Sequence, residues 1–198
     1  MRYGPASVVP FQIDLSSIAR RSVASLYSHL VTRPTGRALR LGIESQIGEL
    51  GAACISVLDF TQVVVLDYSC ADEAVAKLMQ RYRGADRPAD VYFLARGLGE
   101  QHRDPIEAVL ARYDMALSAE IAAAGFVLLG AASAGERDVW VALESTRTAS
   151  PDEIARLLDG DERETTTVLD GLCERRVALR RSDSRYQALS SLLAVAEA

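Results

Sequence analysis

Four side chains that can carry chemistry lie close together in the sequence: Asp59, Asp67, Ser69 and Asp72. Asp59 and Asp67 each follow a short apolar run, so both carboxylates are expected at strand ends. Paired carboxylates can act in acid–base catalysis or bind Mg²⁺. The sequence offers no third ligand and no nucleophile to accompany them, which favours a role in turns and backbone hydrogen bonding.

Ser69 begins a helical pattern, and two roles fit it. As an N-cap, its hydroxyl would accept from the N–H of Asp72, and the Asp72 carboxylate would return the bond, as in a capping box. As a phosphoacceptor, it would carry negative charge at a helix N-terminus, where such charge is tolerated. The capping role is favoured because it needs only residues that the sequence contains.

Arg33, Arg37 and Arg40 follow one another at helical spacing near the start of a predicted helix. Guanidinium groups at a helix N-terminus can form an anion or nucleotide pocket. A solvated face with Glu44 as ion partner is favoured, because opposite charges four residues apart pair readily on a helix.

Signatures of an enzyme or a metal protein are missing from the sequence. His29 and His102 are isolated, and the three cysteines are odd in number and far apart. No P-loop, zinc-protease or nucleophile-elbow motif occurs, and Gly97-Leu98-Gly99 lacks the third glycine of a dinucleotide fingerprint. We therefore expect no catalytic residue, cofactor or metal, and a reducing compartment.

Composition predicts an ordinary soluble globular protein. The 198 residues are 49% hydrophobic and 25% charged, with a net charge of −5 and a pI near 5.1. Such a chain has no general attraction for nucleic acid or anionic membranes. We see no secretory signal, and the most apolar window, residues 121–135, is too short to span a bilayer. A cytoplasmic location without membrane contact is expected.

Alternating strand and helix patterns predict an α/β domain first. Pro10 suits an edge strand, and an apolar run at residues 53–60 indicates a strand buried on both faces. Thr35 is expected to cap one helix, and Asp104 another with Pro105 at its first position. The predicted elements are strand 8–15, helix 16–32, helix 36–50, strand 53–60, segment 63–66, helix 69–83, strand 90–95, helix 104–113 and a hairpin of 115–121 with 126–130.

Residues 131–135, with the sequence AASAG, are predicted to link a first domain (residues 1–130) to a second (residues 136–198). A capping box of Ser150 and Glu153 starts one of the helices in the second domain. The predicted elements there are helices 136–145, 151–158 and 161–175 and a hairpin of 177–179 with 186–189. This order is typical of a winged helix-turn-helix fold, which is small and mainly helical.

Three motifs form one pattern around the start of the helix at Ser69. They are Leu58-Asp59-Phe60, Val65-Leu66-Asp67 and Ser69-Cys70-Ala71-Asp72. Together they resemble the core of STAS-like domains, a family that includes bacterial anti-sigma-factor antagonists. The resemblance covers about residues 8–130 and implies a layered α/β sheet with helices. It also implies that Ser69 stands where the antagonists carry a phosphorylated serine, although Cys70 replaces the family's glycine and Tyr68 a small residue.

Residues 139–189 resemble the winged-helix domains of bacterial transcription regulators. In such a domain the third helix and the hairpin, or wing, can contact phosphates and bases of DNA. The candidate DNA-binding residues are Arg163, Thr166, Thr167, Arg180, Arg181 and Arg185. However, residues 134–198 carry nine arginines and thirteen acidic residues, a balance that disfavours DNA. Contact with DNA and contact with protein therefore remain open alternatives.

These resemblances predict a non-enzymatic bacterial regulatory protein. Its first domain would sense or bind a partner, and its winged helix would regulate transcription, binding DNA as a homodimer. The alternative is a protein–protein interaction switch that docks a kinase or an anti-sigma-type partner, with a winged helix that binds protein or is structural. A third hypothesis is a small-molecule binder that uses the anion pocket of Arg33, Arg37 and Arg40.

Overall fold

The structure, a computed structural model, describes residues 9–14, 29–50, 53–122 and 124–193. Within these residues the chain is mixed α/β with three sheets. None of the helices in this part of the chain has both the length and the apolar character needed to cross a membrane.

A five-stranded sheet organises the first part of the chain. Its strands are Val9–Asp14 (β1), Cys54–Asp59 (β3), Val91–Leu98 (β5), Ala116–Ile121 (β6) and Gly125–Gly130 (β7). They lie in the order β1-β3-β5-β6-β7; the first four are parallel, and β7 pairs antiparallel with β6 as the predicted hairpin. β1 lies at the edge, as Pro10 predicted, and β3 is buried along nearly its whole length. The carboxyl ends of the parallel strands therefore meet at one edge of the sheet.

Three helices cover one face of this sheet. They are Arg33–Leu50 (α1), Glu100–Arg112 (α3) and, between them, a helix α2 made of Tyr68–Ala71, a π-helical turn Asp72–Ala76 and Lys77–Arg83. Leu39, Ile43 and Ile47 of α1 are buried in the shared core, as their spacing predicted. A Cβ at Gly36 would lie 2.8 Å from the Cys70 carbonyl oxygen, so only glycine lets α1 approach α2 this closely.

Two predictions for the start of the chain need correction or fall outside the structure. Most of the helix predicted at 16–32 lies outside the described residues, and its end, His29–Leu30, is a strand (β2) paired with Val65–Leu66 (β4). Helix α1 begins at Arg33, and Thr32 Oγ1 accepts from the N–H of Thr35 at 3.2 Å. Thr32 therefore caps the helix instead of Thr35. Pro34 fits in the first turn, where its missing N–H would have had no partner within the helix.

The prediction that Asp104 caps α3 was also wrong. The helix begins at Glu100, and the Nδ1 of His102 accepts from the N–H of Gly99 at 3.1 Å. This bond satisfies a backbone donor just before the first turn, so the helix starts four residues before Asp104. Pro105 consequently lies inside the helix.

The last part of the chain forms a unit of three helices and a small sheet, which we call the C-terminal unit (residues 134–193). The helices are Ala134–Thr146 (α4), Pro151–Leu157 (α5) and Glu162–Glu174 (α6). The strands are Thr148–Ala149 (β8), Ala178–Arg180 (β9) and Tyr186–Ala188 (β10), in the order β8-β10-β9, and a 3-10 turn Leu189–Leu192 follows. The capping box of Ser150 and Glu153 is confirmed, and Val139, Trp140 and Leu143 are buried as predicted.

The C-terminal unit packs on the second face of the five-stranded sheet. Successive residues of β3 point to opposite faces: Leu58 joins the core under the helices, whereas Ile55 and Val57 pack with Leu189. Arg137 of α4 donates to the carbonyl oxygens of Leu128 and Gly130 on β7. Helix α4 starts inside the segment expected as a linker, and the division into two domains stays a prediction.

Candidate functional site

The N-terminus of α2 is capped by Asp67, not by Ser69. Asp67 Oδ1 accepts from the N–H of Cys70 at 2.8 Å, and the Ser69 hydroxyl donates to the same oxygen at 2.9 Å. The predicted capping box of Ser69 with Asp72 is therefore wrong. Asp67 has the extended backbone of an N-cap residue, which moves the helix start two residues earlier. Ser69 lies in the first turn, partly exposed.

Asp72 faces the inside of the protein, where it joins a charged network. Its Oδ2 accepts from Arg33 at 2.7 Å, and its Oδ1 accepts from the hydroxyl of Tyr113 at 2.9 Å. Lys77 lies 3.6 Å from the same carboxylate. Asp72 is therefore placed to join α1, α2 and the end of α3, rather than to cap α2 or meet solvent.

Glu73, which the sequence analysis did not single out, stands beside Asp72 in the π-helical turn. It accepts from Arg33 at 3.0 Å, from Lys77, and from Arg40 at 3.5 Å. The side chains of Asp72 and Glu73 are each only 6% exposed, and we call these two residues the carboxylate pair. A signal was present, because two adjacent acids in a run of buried alanine and valine require cationic partners.

The carboxylate pair is ionised because its cations outweigh its burial. Burial by itself raises the pKa of Asp72, but hydrogen bonds from Arg33 and Tyr113 and the charge of Lys77 bring that pKa below its ordinary value. The pKa of Glu73 is likewise lowered, since bonds from Lys77 and Arg33 overcome the effect of burial. The network is thus an ion cluster that locks three helices together.

The three arginines for which an anion pocket was the less favoured alternative do not act as one group. Arg33 and Arg40 bind the carboxylate pair, and Arg40 also donates to Glu44 at 2.8 Å, as predicted. Arg37 is exposed. Two of the three guanidinium groups thus already have carboxylate partners, which weakens the anion-pocket hypothesis.

Asp59 shapes the turn after β3. It accepts from the backbone N–H and the hydroxyl of Thr61 and pairs with Arg96 at 3.0 Å. Burial alone would raise the pKa of Asp59, but these bonds lower it below its ordinary value. Among the described residues, no group of three or more metal-ligating side chains is placed to hold an ion. The contacts of Asp59 are those of a turn residue, because its carboxylate accepts from the backbone and the side chain of Thr61.

The thiol of Cys70, in the first turn of α2, is buried. Burial raises the pKa of this thiol to about 12, so the group stays protonated at neutral pH. Nearby, burial lowers the pKa of His102, whose ring lies against Phe60 with the centroids 5.8 Å apart. Both groups have the surroundings of core residues.

An exposed apolar surface borders Ser69. Val64, Val65 and Tyr68 are all exposed, and Tyr68 retains 57% of its accessible area. With Ser69 they form what we call the α2 surface. Residues 63–66 were predicted as an apolar segment, and only Val63 and Leu66 of this segment turn inward. All four of these residues are apolar, so the sequence contains no signal for which of them are exposed.

Helix α6 presents its N-terminal half to solvent. Arg163 and Thr167 are exposed, and Thr166 is partly exposed. The Thr166 hydroxyl donates to the Glu162 carbonyl at 2.7 Å, and that of Thr167 donates to the Arg163 carbonyl at 2.9 Å. These three candidate DNA-binding residues lie on one helix with Glu162 and Glu164, whose negative charges offset the positive charge of Arg163.

The wing arginines each have an acidic neighbour. Arg180 lies 3.2 Å from Asp170, Arg181 lies 3.3 Å from Asp183, and Arg185 donates to Glu153 at 2.7 Å. The sequence places three arginines in the wing, and the fold places one carboxylate against each of their guanidinium groups. The positive charge available to a nucleic acid is correspondingly lower.

Comparison with known proteins adds no family assignment. No protein-family model matches the chain, and no curated protein matches it. The likeness to STAS-like and winged-helix domains therefore rests on the residues themselves.

Proposed function

We propose that this chain is a non-enzymatic regulatory protein that acts by binding a protein partner through the α2 surface. The proposal takes the first part as a STAS-like domain and the C-terminal unit as a winged helix. A parallel sheet with the helix of Ser69 on one face supports the first assignment. Three helices followed by the hairpin β9–β10 support the second.

The observation that carries the proposal is the exposure of Val64, Val65 and Tyr68 beside Ser69. Exposed aromatic and β-branched residues grouped on one surface are typical of protein-binding sites, where an aromatic anchor provides much of the binding energy. Behind this surface the carboxylate pair fixes α2 to α1. A rigid support lowers the loss of conformational entropy that accompanies partner binding.

Phosphorylation of Ser69 is part of the proposal. The Ser69 hydroxyl now donates to Asp67, and a phosphate would replace that bond with two adjacent negative groups. It would also place charge on the edge of an apolar surface. Modification is therefore expected to weaken partner binding, and native mass spectrometry that finds no phosphate on Ser69 in any growth state would contradict this part.

The test is a pull-down with the full chain as bait, followed by purification of any stoichiometric protein partner. The double variant Val64→Ser/Tyr68→Ser is expected to lower the affinity for that partner, measured by calorimetry, by roughly tenfold or more, which is about 1.4 kcal/mol of binding free energy. Leu41→Ser removes an exposed leucine on α1 instead and serves as the matched control. Equal binding by all three proteins would contradict the proposal.

DNA binding is the second candidate. Arg163 is exposed and forms no ion pair with the part of the chain that the structure describes, and the exposed wing pairs can be broken at low cost. The negative charges of Glu162 and Glu164 on the exposed half of α6 disfavour DNA binding. A gel-shift series at low and moderate salt would favour this candidate if a fragment is retarded specifically and Arg163→Ala removes the shift.

A further inference from the structure

An open apolar groove lies between α4 and α5, away from the α2 surface. Its volume is about 340 Å³. The lining residues are Asp138, Val141, Ala142, Ser145, Leu157 and Leu158. Three of these are large apolar side chains exposed to solvent, and Leu157 keeps 58% of its accessible area.

The core of the C-terminal unit does not account for these exposed side chains. Helix α4 buries Trp140 and Leu143, which leaves Val141 on its outer side. On helix α5, Ile154 is buried on the inner side, whereas Leu157 lies on the solvent side. An apolar group of this kind at a helix–helix groove is a common docking site for a third helix.

Acidic side chains outnumber basic ones around the groove. Residues 134–164 contain nine acidic residues and four arginines, and three of those acids pair with arginines: Glu136 with Arg175, Glu144 with Arg147 and Glu153 with Arg185. Asp138 lines the groove, and Asp159 is exposed directly after Leu158. Asp161, Glu162 and Glu164 are also exposed, whereas the charge of Asp152 is balanced by Arg156.

Most of the arginines in this segment do not offset that charge at the groove. Arg137 points to the carbonyl oxygens of Leu128 and Gly130, and Arg156 is paired with Asp152 on its own helix. Arg147 donates to Ser190 at 2.8 Å. The groove therefore presents an apolar floor within a negative field.

Charge decides between the occupants that an apolar groove can have. In a symmetric dimer the same face meets itself, so a second copy would place acids against acids. Nucleic-acid phosphates would be repelled for the same reason. A polypeptide that combines apolar anchors with lysine or arginine suits both the floor and the field.

We infer that the groove between α4 and α5 binds a basic amphipathic helix of a protein partner. Apolar side chains of that helix contact Val141, Leu157 and Leu158, and its basic side chains face Asp138 and Asp159. This site is separate from the α2 surface, so the inference does not depend on partner binding there.

The experiment uses a fluorescent peptide of about 18 residues, with leucine at helical spacing and lysine elsewhere, long enough for about five turns. A scrambled peptide of the same composition and a glutamate version of the helix are the comparison probes. Anisotropy with the full chain is expected to show binding of the basic helix at least roughly tenfold tighter than that of either comparison probe.

Groove variants locate the site. Val141→Ser/Leu157→Ser is expected to lower the affinity for the basic peptide by roughly tenfold. Asp138→Asn is expected to lower that affinity more at low salt than at moderate salt, because salt screens charge. Leu41→Ser, Glu174→Gln and the α2-surface variant Val64→Ser/Tyr68→Ser are expected to leave binding unchanged. Melting temperatures and circular dichroism of every variant establish that the fold is intact.

Three outcomes would overturn the inference. They are equal affinity for the scrambled peptide, unchanged affinity in the groove variants, and self-association or DNA retention that Val141→Ser/Leu157→Ser abolishes. Because the α2-surface variant is measured alongside, loss of peptide binding there alone would assign the peptide to that surface. Such a result would contradict the inference that the groove binds the helix, and it would not contradict the proposed function.

Discussion

Two groups of ion pairs, one in each part of the molecule, use the same side-chain chemistry at different depths. At the carboxylate pair, Asp72 and Glu73 are 6% exposed and share Arg33, Arg40 and Lys77. At the wing, the acids Asp170, Glu153 and Asp183 are 41–48% exposed, and each faces one arginine. Removing a partner from a buried pair leaves a charge that water cannot solvate, whereas an exposed pair contributes about 0–1 kcal/mol.

The difference suggests separate tasks for the two groups. The buried network holds α1, α2 and Tyr113 in one arrangement, so the α2 surface is presented on a rigid support. The wing pairs can exchange carboxylate partners for a ligand at little cost in stability. Four measurements test this contrast, from the largest expected effect to the smallest.

Gly36→Ala should have the largest effect, since it separates α1 from α2. The new Cβ would lie 2.8 Å from the Cys70 carbonyl oxygen and 2.9 Å from its Cα, and backbone atoms cannot turn aside. We expect a loss of about 3 kcal/mol in the free energy of unfolding measured with urea. Gly48→Ala, where no atom lies within 4 Å of the added carbon, should instead gain up to about 1 kcal/mol. Similar values for both variants would contradict the close approach.

Glu73→Gln should be the next most damaging change. It keeps the shape of the side chain but removes a charge that three cations share, so we expect a loss of about 2 kcal/mol in the free energy of unfolding. The matched control is Glu49→Gln on the exposed end of α1, expected to change that free energy by less than about 0.5 kcal/mol. Equal effects would mean that the carboxylate pair contributes no more than a surface acid.

Acid pH should reduce the difference in the free energy of unfolding between wild type and Glu73→Gln. The folded pKa values of Asp72 and Glu73 are lowered, so their contribution is present above their unfolded pKa values of about 4 and is lost as pH falls through the folded values. Urea unfolding of wild type and Glu73→Gln between neutral and acid pH should therefore show the two stabilities converging below about pH 4. A constant gap across the series would exclude ionised carboxylates as its source.

Arg180→Ala should have the smallest effect. Its pair with Asp170 is about half exposed, and Asp170 also accepts from the Tyr186 hydroxyl at 2.6 Å. We expect the free energy of unfolding to fall by less than about 1 kcal/mol, and less again at high salt. A loss as large as that of Glu73→Gln would show that the wing is held by its ion pairs, removing the contrast between the two regions.

Local chemistry made several elements predictable. Capping boxes and hairpins depend on residues a few positions apart, so the start of α5 at Ser150 and the β6–β7 hairpin followed from the sequence. The buried strand β3 followed from its continuous apolar run. Where two local signals competed, the prediction failed: Asp67 and Ser69 are both good N-caps, and the sequence alone gave no reason to choose the earlier one.

The candidate site depended on contacts that the sequence does not encode locally. Arg33 and Asp72 are 39 positions apart, and Tyr113 is 41 positions beyond Asp72, so no spacing rule joins them. Leu143 and Leu157 are equally apolar in the sequence. Only the packing of α4 and α5 decides that Leu143 is covered and Leu157 is not. The sequence by itself therefore determined which segments form most of the helices and strands, and the order in which they follow one another. Which faces are covered, and which charges meet, was decided by segments brought together from distant parts of the chain, because burial and ion pairing depend on neighbours in space.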